Sequence, residues 1–283
     1  MTIRQLPAVE LGTRPGVRSD ISTRAMSRWE PSLRPSAEAS GAVGIQIMDV
    51  IGQDFWGEGI TAKDIARQLR NAGERPVEVV INSPGGDVFE GLAIYNALRE
   101  HKAEVTVKII GLAASAASFI AMAGDTVEIG RAAFMMIHNS WVCACGDRHA
   151  LREVADWLEP FDAVMADIYD ARTDVDRAKI IAMLDAETWI SGTQAVEQRF
   201  ADELLASDQI SMADDKTSAS AIRAERAFDV VASRAGLSRN DGRQLLANLK
   251  GGKPGAAPTD MPGAVEIAAG VSELADLLKS FKG

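Results

Sequence analysis

The chain has 283 residues, 47% of them hydrophobic and 25% charged, which is enough apolar content for one large core and excludes disorder throughout. Thirty basic residues against forty acidic ones leave a net charge of −10, which argues against general affinity for nucleic acid or an anionic membrane. Two cysteines, Cys143 and Cys145, cannot build a disulfide framework, so they do not point to an oxidising compartment.

Residues 1–42 are rich in Arg, Pro and Ser with no sustained apolar period, and read as a flexible N-terminal arm. Their opening stretch lacks the run of roughly 7–15 apolar residues of a secretory signal. Residues 43–205 alternate short β-like runs with helical periods. Strands are expected at 43–50, 77–82, 104–110, 126–129 and 133–137, and helices at 61–71 and about 87–100. Thr61 is placed to cap the first helix, where Ile65 and Leu69 lie four apart on one face. Val88, Leu92 and Tyr95 stack along the second. Strand–helix–strand alternation with short connections predicts a parallel sheet with helical crossovers. Residues 109–124 form a low-polarity run of sixteen, short of the roughly 20 apolar residues that span a bilayer. A soluble, cytoplasmic protein with no membrane segment is expected.

A longer helix follows, with Leu151, Val154, Leu158, Phe161, Met165 and Ile168 at steps of three and four. Pro160 falls inside it and should kink or split it. The seam suits either core packing or contact with a second subunit, and the spacing does not choose. Residues 206–283 read as a C-terminal appendage. Short helices are expected at 222–236 and 241–250. A linker at 251–265 has seven Gly or Pro in fifteen residues, and a terminal amphipathic helix carries Leu274, Leu277, Leu278 and Phe281. This appendage is expected to be dispensable for cleaving small peptides and to serve in capturing a protein partner.

Four segments offer chemistry. In INSPGG (81–86) a strand meets a helix, and Gly85 and Gly86 free the backbone to aim N–H groups at a developing negative charge, although a plain tight turn would use the same residues. GLAASAASFIAMAG (111–124) places Ser115 just after a strand, where a nucleophile would sit. Ser118 is an equally good small residue for close packing. Of the three histidines, only His138, in MIHNS (136–140), follows an apolar strand. It would there be presented at a sheet edge as a general base or held as a structural residue. Asp185 and Glu187 precede a turn and a helix, and either suits the far nitrogen of a histidine. Cys143, Cys145 and His149 fall short of the four ligands of tetrahedral zinc, and neither GxGxxG nor a Walker motif occurs, so no metal or cofactor is expected.

Together and in this order, these segments resemble the Clp protease proteolytic subunit family, and within it the head-maturation proteases of tailed phages and prophages. Residues 111–115 match its Gly-x-Ala-Ala-Ser element and residues 136–138 its Met-Ile-His. The resemblance covers roughly residues 43–205, read as the protease domain. It implies an α/β fold of the kind shared with crotonases, a spiral of β-β-α units, with Ser115 as nucleophile and His138 as base. The amides of Gly86 and Ala116 would form the oxyanion hole. The family's acid, counted back from the aromatic of WIS (189–191), falls on Glu187 where the family has an aspartate; Asp185 remains the alternative. The resemblance implies a serine endopeptidase acting on peptides and proteins, capsid or scaffold protein among them, in prohead maturation. It implies a homo-oligomeric ring in the bacterial host cytoplasm or inside the prohead, and leaves an AAA+ unfoldase partner open. A crotonase-type acyl-CoA enzyme, a Ser–Lys peptidase and a non-catalytic assembly or scaffolding protein of the same fold are the rivals.

Overall fold

The computed structural model describes residues 17–19, 21–35, 41–52, 58–205, 210–212 and 216–250. In chain order the elements begin with β1 (Val17–Ser19), α1 (Thr23–Arg28), β2 (Leu33–Pro35), β3 (Val43–Ile47), α2 (Ala62–Ala72), β4 (Val77–Ser83) and α3 (Val88–Arg99). β5 (Val105–Ala114), α4 (Ala116–Ala121), β6 (Thr126–Gly130), β7 (Phe134–Ile137) and β8 (Val142–Ala144) follow. The long helix α5 (Arg148–Arg172), α6 (Arg177–Asp185), β9 (Thr188–Ser191), α7 (Gly192–Glu197) and β10 (Glu203–Leu205) lead to β11 (Ile210–Met212), α8 (Lys216–Arg234) and α9 (Arg239–Lys250). The described residues up to Leu237 fall in one compact unit and those from Ser238 on in a second. Within the second, α9 starts behind Ser238, whose Oγ accepts from Asp241 N at 3.3 Å. The expected linker at 251–265 and terminal helix lie outside the described residues.

The main sheet runs β10-β6-β5-β4-β3, with β7 added to β5 and β9 to β7. Every pairing is parallel except β7 with β9, so the expected α/β class with helical crossovers is what forms. Local chemistry sets the helix starts. Thr61 Oγ1 accepts from Asp64 N at 3.2 Å, and the Asp87 carboxylate accepts from Phe89 N and Glu90 N at 2.8 and 3.0 Å. Side chains alternate across each strand. Ile45, Ile47, Val79, Ile81, Val107 and Ile109 join α2, α3, α4 and α5 in the large core, while Val80, Ile110, Leu112 and Ala114 face the other way.

Three features differ from expectation. β5 runs to Ala114, through the small residues read as the start of a buried segment, because it pairs on both sides, with β4 and with β6 and then β7. α5 is one helix of 25 residues across Pro160; one missing amide removes a single bond, and packing of Phe161, Val164, Met165 and Ile168 holds the second half. Its first turn is outside that core, with Leu151 45% exposed, and Trp157 packs on the core's edge. Within the stretch read as a flexible arm, α1 is capped by Ser22 and followed by Trp29, which is fully buried. The Trp29 indole N–H donates to Asn82 O at 2.9 Å. α8 packs on α1, and Val230 joins Ala25, Met26 and Trp29 in a small apolar cluster over Leu112, Ala114 and Met136. A large aromatic and a helix period separated by nearly two hundred residues supply that layer together, which neither segment shows by itself.

Candidate active site

β4, β5 and β7 are parallel neighbours, so the turns leaving their C-terminal ends share one edge of the sheet, where open α/β sheets bind ligands. The three expected segments leave from those ends. Ser115 follows β5 with φ 53° and ψ −123°, a left-handed backbone that costs a non-glycine residue on the order of 1–3 kcal/mol. It is held there by Ser115 N donating to Met136 O at 2.8 Å. His138 follows β7, and its Nε2 lies 2.7 Å from Ser115 Oγ. With the proton on Nδ1, Nε2 accepts from the serine hydroxyl, the geometry of a nucleophile and its base. Burial holds the His138 pKa below its ordinary 6.5, opposed by the negative charge of Glu187. The imidazole is therefore neutral and able to accept a proton at neutral pH.

Gly85 and Gly86 form the wall opposite. A Cβ on Gly85 would meet Ser115 Cβ at 2.6 Å and Ala116 N at 3.1 Å, so the turn is pressed against the serine with no room for a side chain. Gly86 has φ 154°, and a Cβ there would lie 2.0 Å from Ile51 O. The flanking groups are used: Ile51 N donates to Gly85 O and Asp87 N donates to Ile51 O, each at 2.9 Å. The Gly86 amide, between them, donates to no group among the described residues. The Ala116 amide is likewise unspent, as the first of its helix.

The two acids fall differently. Glu187, itself at φ 48°, sits near enough to act on His138 by charge, but its Oε1 accepts from Arg24 at 3.2 Å and from the Trp189 indole at 3.3 Å. No hydrogen bond joins it to His138 in this structure. Asp185 accepts from Asn139 Nδ2 at 2.7 Å. Together with Asp162, which accepts from Ser140 N at 2.6 Å, it ties down the segment after His138. Burial raises the Asp162 pKa, the hydrogen bonds from Ser140 oppose that, and Asp185 and Glu159 add to it. Arg24, Asn139 and Asp162 were not singled out in the sequence. Arg24 and Arg28, four apart on α1, engage Glu187 and the Trp189 ring (4.1 Å), a spacing that only the partners make meaningful.

Beside Ser115 and His138 is a pocket lined by Val88, Phe89, Phe119, Trp157, Phe161 and Met165. Phe89, Trp157 and Phe161 meet edge-on or tilted at 5.1–6.0 Å, giving it a firm aromatic wall. Ser118 plays a separate part. It is fully buried, donating to Ser115 O at 2.5 Å and sharing a hydrogen bond with Tyr169 OH at 2.7 Å, while burial pushes the Tyr169 phenol well above its usual range. Among the described residues no group of three or more His, Cys, Asp or Glu is placed to hold a metal ion, and no helix is long and apolar enough to cross a membrane.

Fold and edge thus define an α/β protein with a serine–histidine pair at the C-terminal ends of parallel strands. The Clp protease family model matches residues 55–208, more than half of the chain, and the chain belongs to that family. An ATP-dependent Clp protease proteolytic subunit of Deinococcus radiodurans is 30% identical over 136 residues, 47% of this chain and 66% of that protein. One from Chlorella vulgaris is 30% identical over 130 residues, 44% of this chain and 64% of its own length. Subunit 1 of Prochlorococcus marinus is 29% identical over 160 residues, 53% of this chain and 82% of that protein. The chain spans just under two thirds of the Deinococcus and Chlorella proteins that it matches.

Proposed function

We propose that the chain is a serine endopeptidase. The observation that carries this reading is the 2.7 Å contact of Ser115 Oγ with a neutral, half-buried His138, opposite the unspent amides of Gly86 and Ala116. Ser115 Oγ attacks a peptide carbonyl carbon while its proton passes to His138 Nε2. The carbonyl oxygen becomes the oxyanion held by the two amides, each worth about 10²–10³ in rate. His138 then gives the proton to the leaving amine. Water repeats the sequence on the acyl-enzyme, and Ser115 is regenerated. Glu187 supplies the negative charge that steadies the imidazolium; Asp185, occupied by Asn139, is the weaker choice. The aromatic pocket seats an apolar side chain of the substrate next to the scissile bond.

The finer reading is processing of capsid or scaffold protein by a homo-oligomer. The exposed Leu151, 45% accessible in the first turn of α5, supports a subunit contact along the outer part of that helix. Labelling of Ser115 by a fluorophosphonate, lost in Ser115→Ala and His138→Ala, tests the chemistry and separates it from a purely structural role. Sedimentation of the whole chain tests the oligomer, and cleavage of an assembled capsid precursor tests the substrate.

A further inference from the structure

α8 lies beyond the stretch that the Clp protease family matches, yet its Arg226 is bound to Asp49, whose backbone is hydrogen-bonded to Ser83 at the start of the turn that carries Gly86. Arg226, on α8, has a side chain only 5% exposed. Its fork grips the Asp49 carboxylate, Nε to Oδ1 at 3.0 Å and Nη2 to Oδ2 at 2.7 Å. Glu58 Oε2 at 3.3 Å and Asp229 Oδ2 at 3.9 Å also face the guanidinium, so removing its charge leaves several carboxylates close together.

From Asp49 the bonds run in one direction. Asp49 Oδ1 accepts from Val50 N at 2.7 Å, which fixes the carboxylate against its own backbone. Asp49 O accepts from Ser83 Oγ at 2.6 Å, and that hydroxyl oxygen accepts from Gly85 N at 3.2 Å. Residue 51 is then laced to Gly85 and Asp87 on either side of Gly86. The Gly86 Cα is packed so closely on Ile51 O that the turn has no slack in that direction. Where residues 49–51 sit therefore decides where the Gly86 N–H points.

We infer that Arg226 is a positioning residue for the oxyanion hole, acting through Asp49 and the paired backbone of residues 49–51 and 83–87. The inference rests on the peptidase reading above. It gives α8 a part in the chemistry, where the composition of residues 206–283 suggested a dispensable appendage. The physical basis is that a buried forked ion pair is rigid only while both partners are present. Taking away one leaves a charge short of solvent, and the backbone moves to relieve it.

The test uses the full-length chain, with kcat and KM on a fluorogenic peptide, the inhibition constant of a peptide aldehyde whose adduct places an oxyanion in the hole, and the melting temperature. Arg226→Met should lower kcat about 10-fold or more, a part of what one whole donor is worth. KM should stay within about twofold, the aldehyde should weaken in step with kcat, and Arg226→Lys should recover part of both. An unchanged kcat and aldehyde affinity, with only the melting temperature lowered, would overturn the inference. Should Arg226→Met not fold, Asp49→Asn decides. It keeps a neutral acceptor in place and should show the same paired loss, and its absence would overturn the inference equally. Wild-type protein that neither turns over the peptide nor labels at Ser115 refutes the peptidase reading and this inference with it. Labelled wild type with undiminished variants refutes the role of Arg226 alone.

Discussion

On one face of the sheet, Ile45, Val79, Ile81, Val107 and Ile109 lie under α2, α3, α4 and α5 in one continuous apolar core. On the other, Leu112, Ala114 and Met136 are met by Trp29, Met26 and Val230 from helices near the two ends of the described chain. The first layer is held by area, which is additive and forgiving of small shifts. The second has less area and more direction: Trp29 to Asn82 O, Asn82 Nδ2 to Glu30 O at 2.8 Å, and Arg226 to Asp49. These bonds reach the strand ends that carry the site. Area on one face sets stability, and directional bonds on the other set position.

The chemistry itself should be removable without disturbing either layer. Ser115→Ala should abolish peptide hydrolysis, a loss of about 10³-fold or more, while circular dichroism and the melting temperature stay close to wild type. Glu187→Gln should cost about 10²-fold in kcat. Activity needs neutral His138, so it rises with pH through a His138 pKa that lies below 6.5. Glu187 raises that pKa; without its charge the pKa falls further, and the acid limb of the pH–rate profile should move to lower pH. A limb that moves upward would refute the electrostatic partnership of the two residues.

Stability should divide between the faces. Ile65→Ala, in the large core and on α2, should cost about 2–5 kcal/mol in denaturant unfolding with kcat unchanged. Ser118→Ala should cost about 1–3 kcal/mol, because it strands the buried Tyr169 hydroxyl, and should leave the enzyme active; a dead variant would mean that the nucleophile is misassigned. Smallest of all, Arg223→Ala removes a rim ion pair with Glu30 whose partners are 36% and 40% exposed. It should cost less than about 1 kcal/mol and leave kcat unaltered, in contrast to Arg226 one turn away.

Much of the site was legible because its parts are local. A strand, a small-residue turn and a helix cap each announce themselves within a few positions, so the turns holding Ser115, His138 and the two glycines, and the Thr61 cap, were legible locally, while the family resemblance singled out Ser115 over Ser118. The parallel order of β4, β5 and β7 then brings serine, base and glycine turn together without further instruction. Periodicity was less informative for α5. A seam of apolar residues at helical spacing says that a face is buried, but not by what. Only the structure separates Phe161, in the core, from Leu151, outside it.

From the sequence alone came the α/β class and the turns that carry Ser115, His138, Gly86 and Ala116, because each turn depends on neighbours within about a turn of chain; the roles proposed for those residues came from the family resemblance. Tertiary structure alone decided which groups surround the acids and what covers the second face of the sheet. Arg24 meets Glu187 across 163 positions and Arg226 meets Asp49 across 177. An ion pair leaves no periodic trace in either of its segments, and a buried arginine reads like any solvated one until the fold removes the water around it.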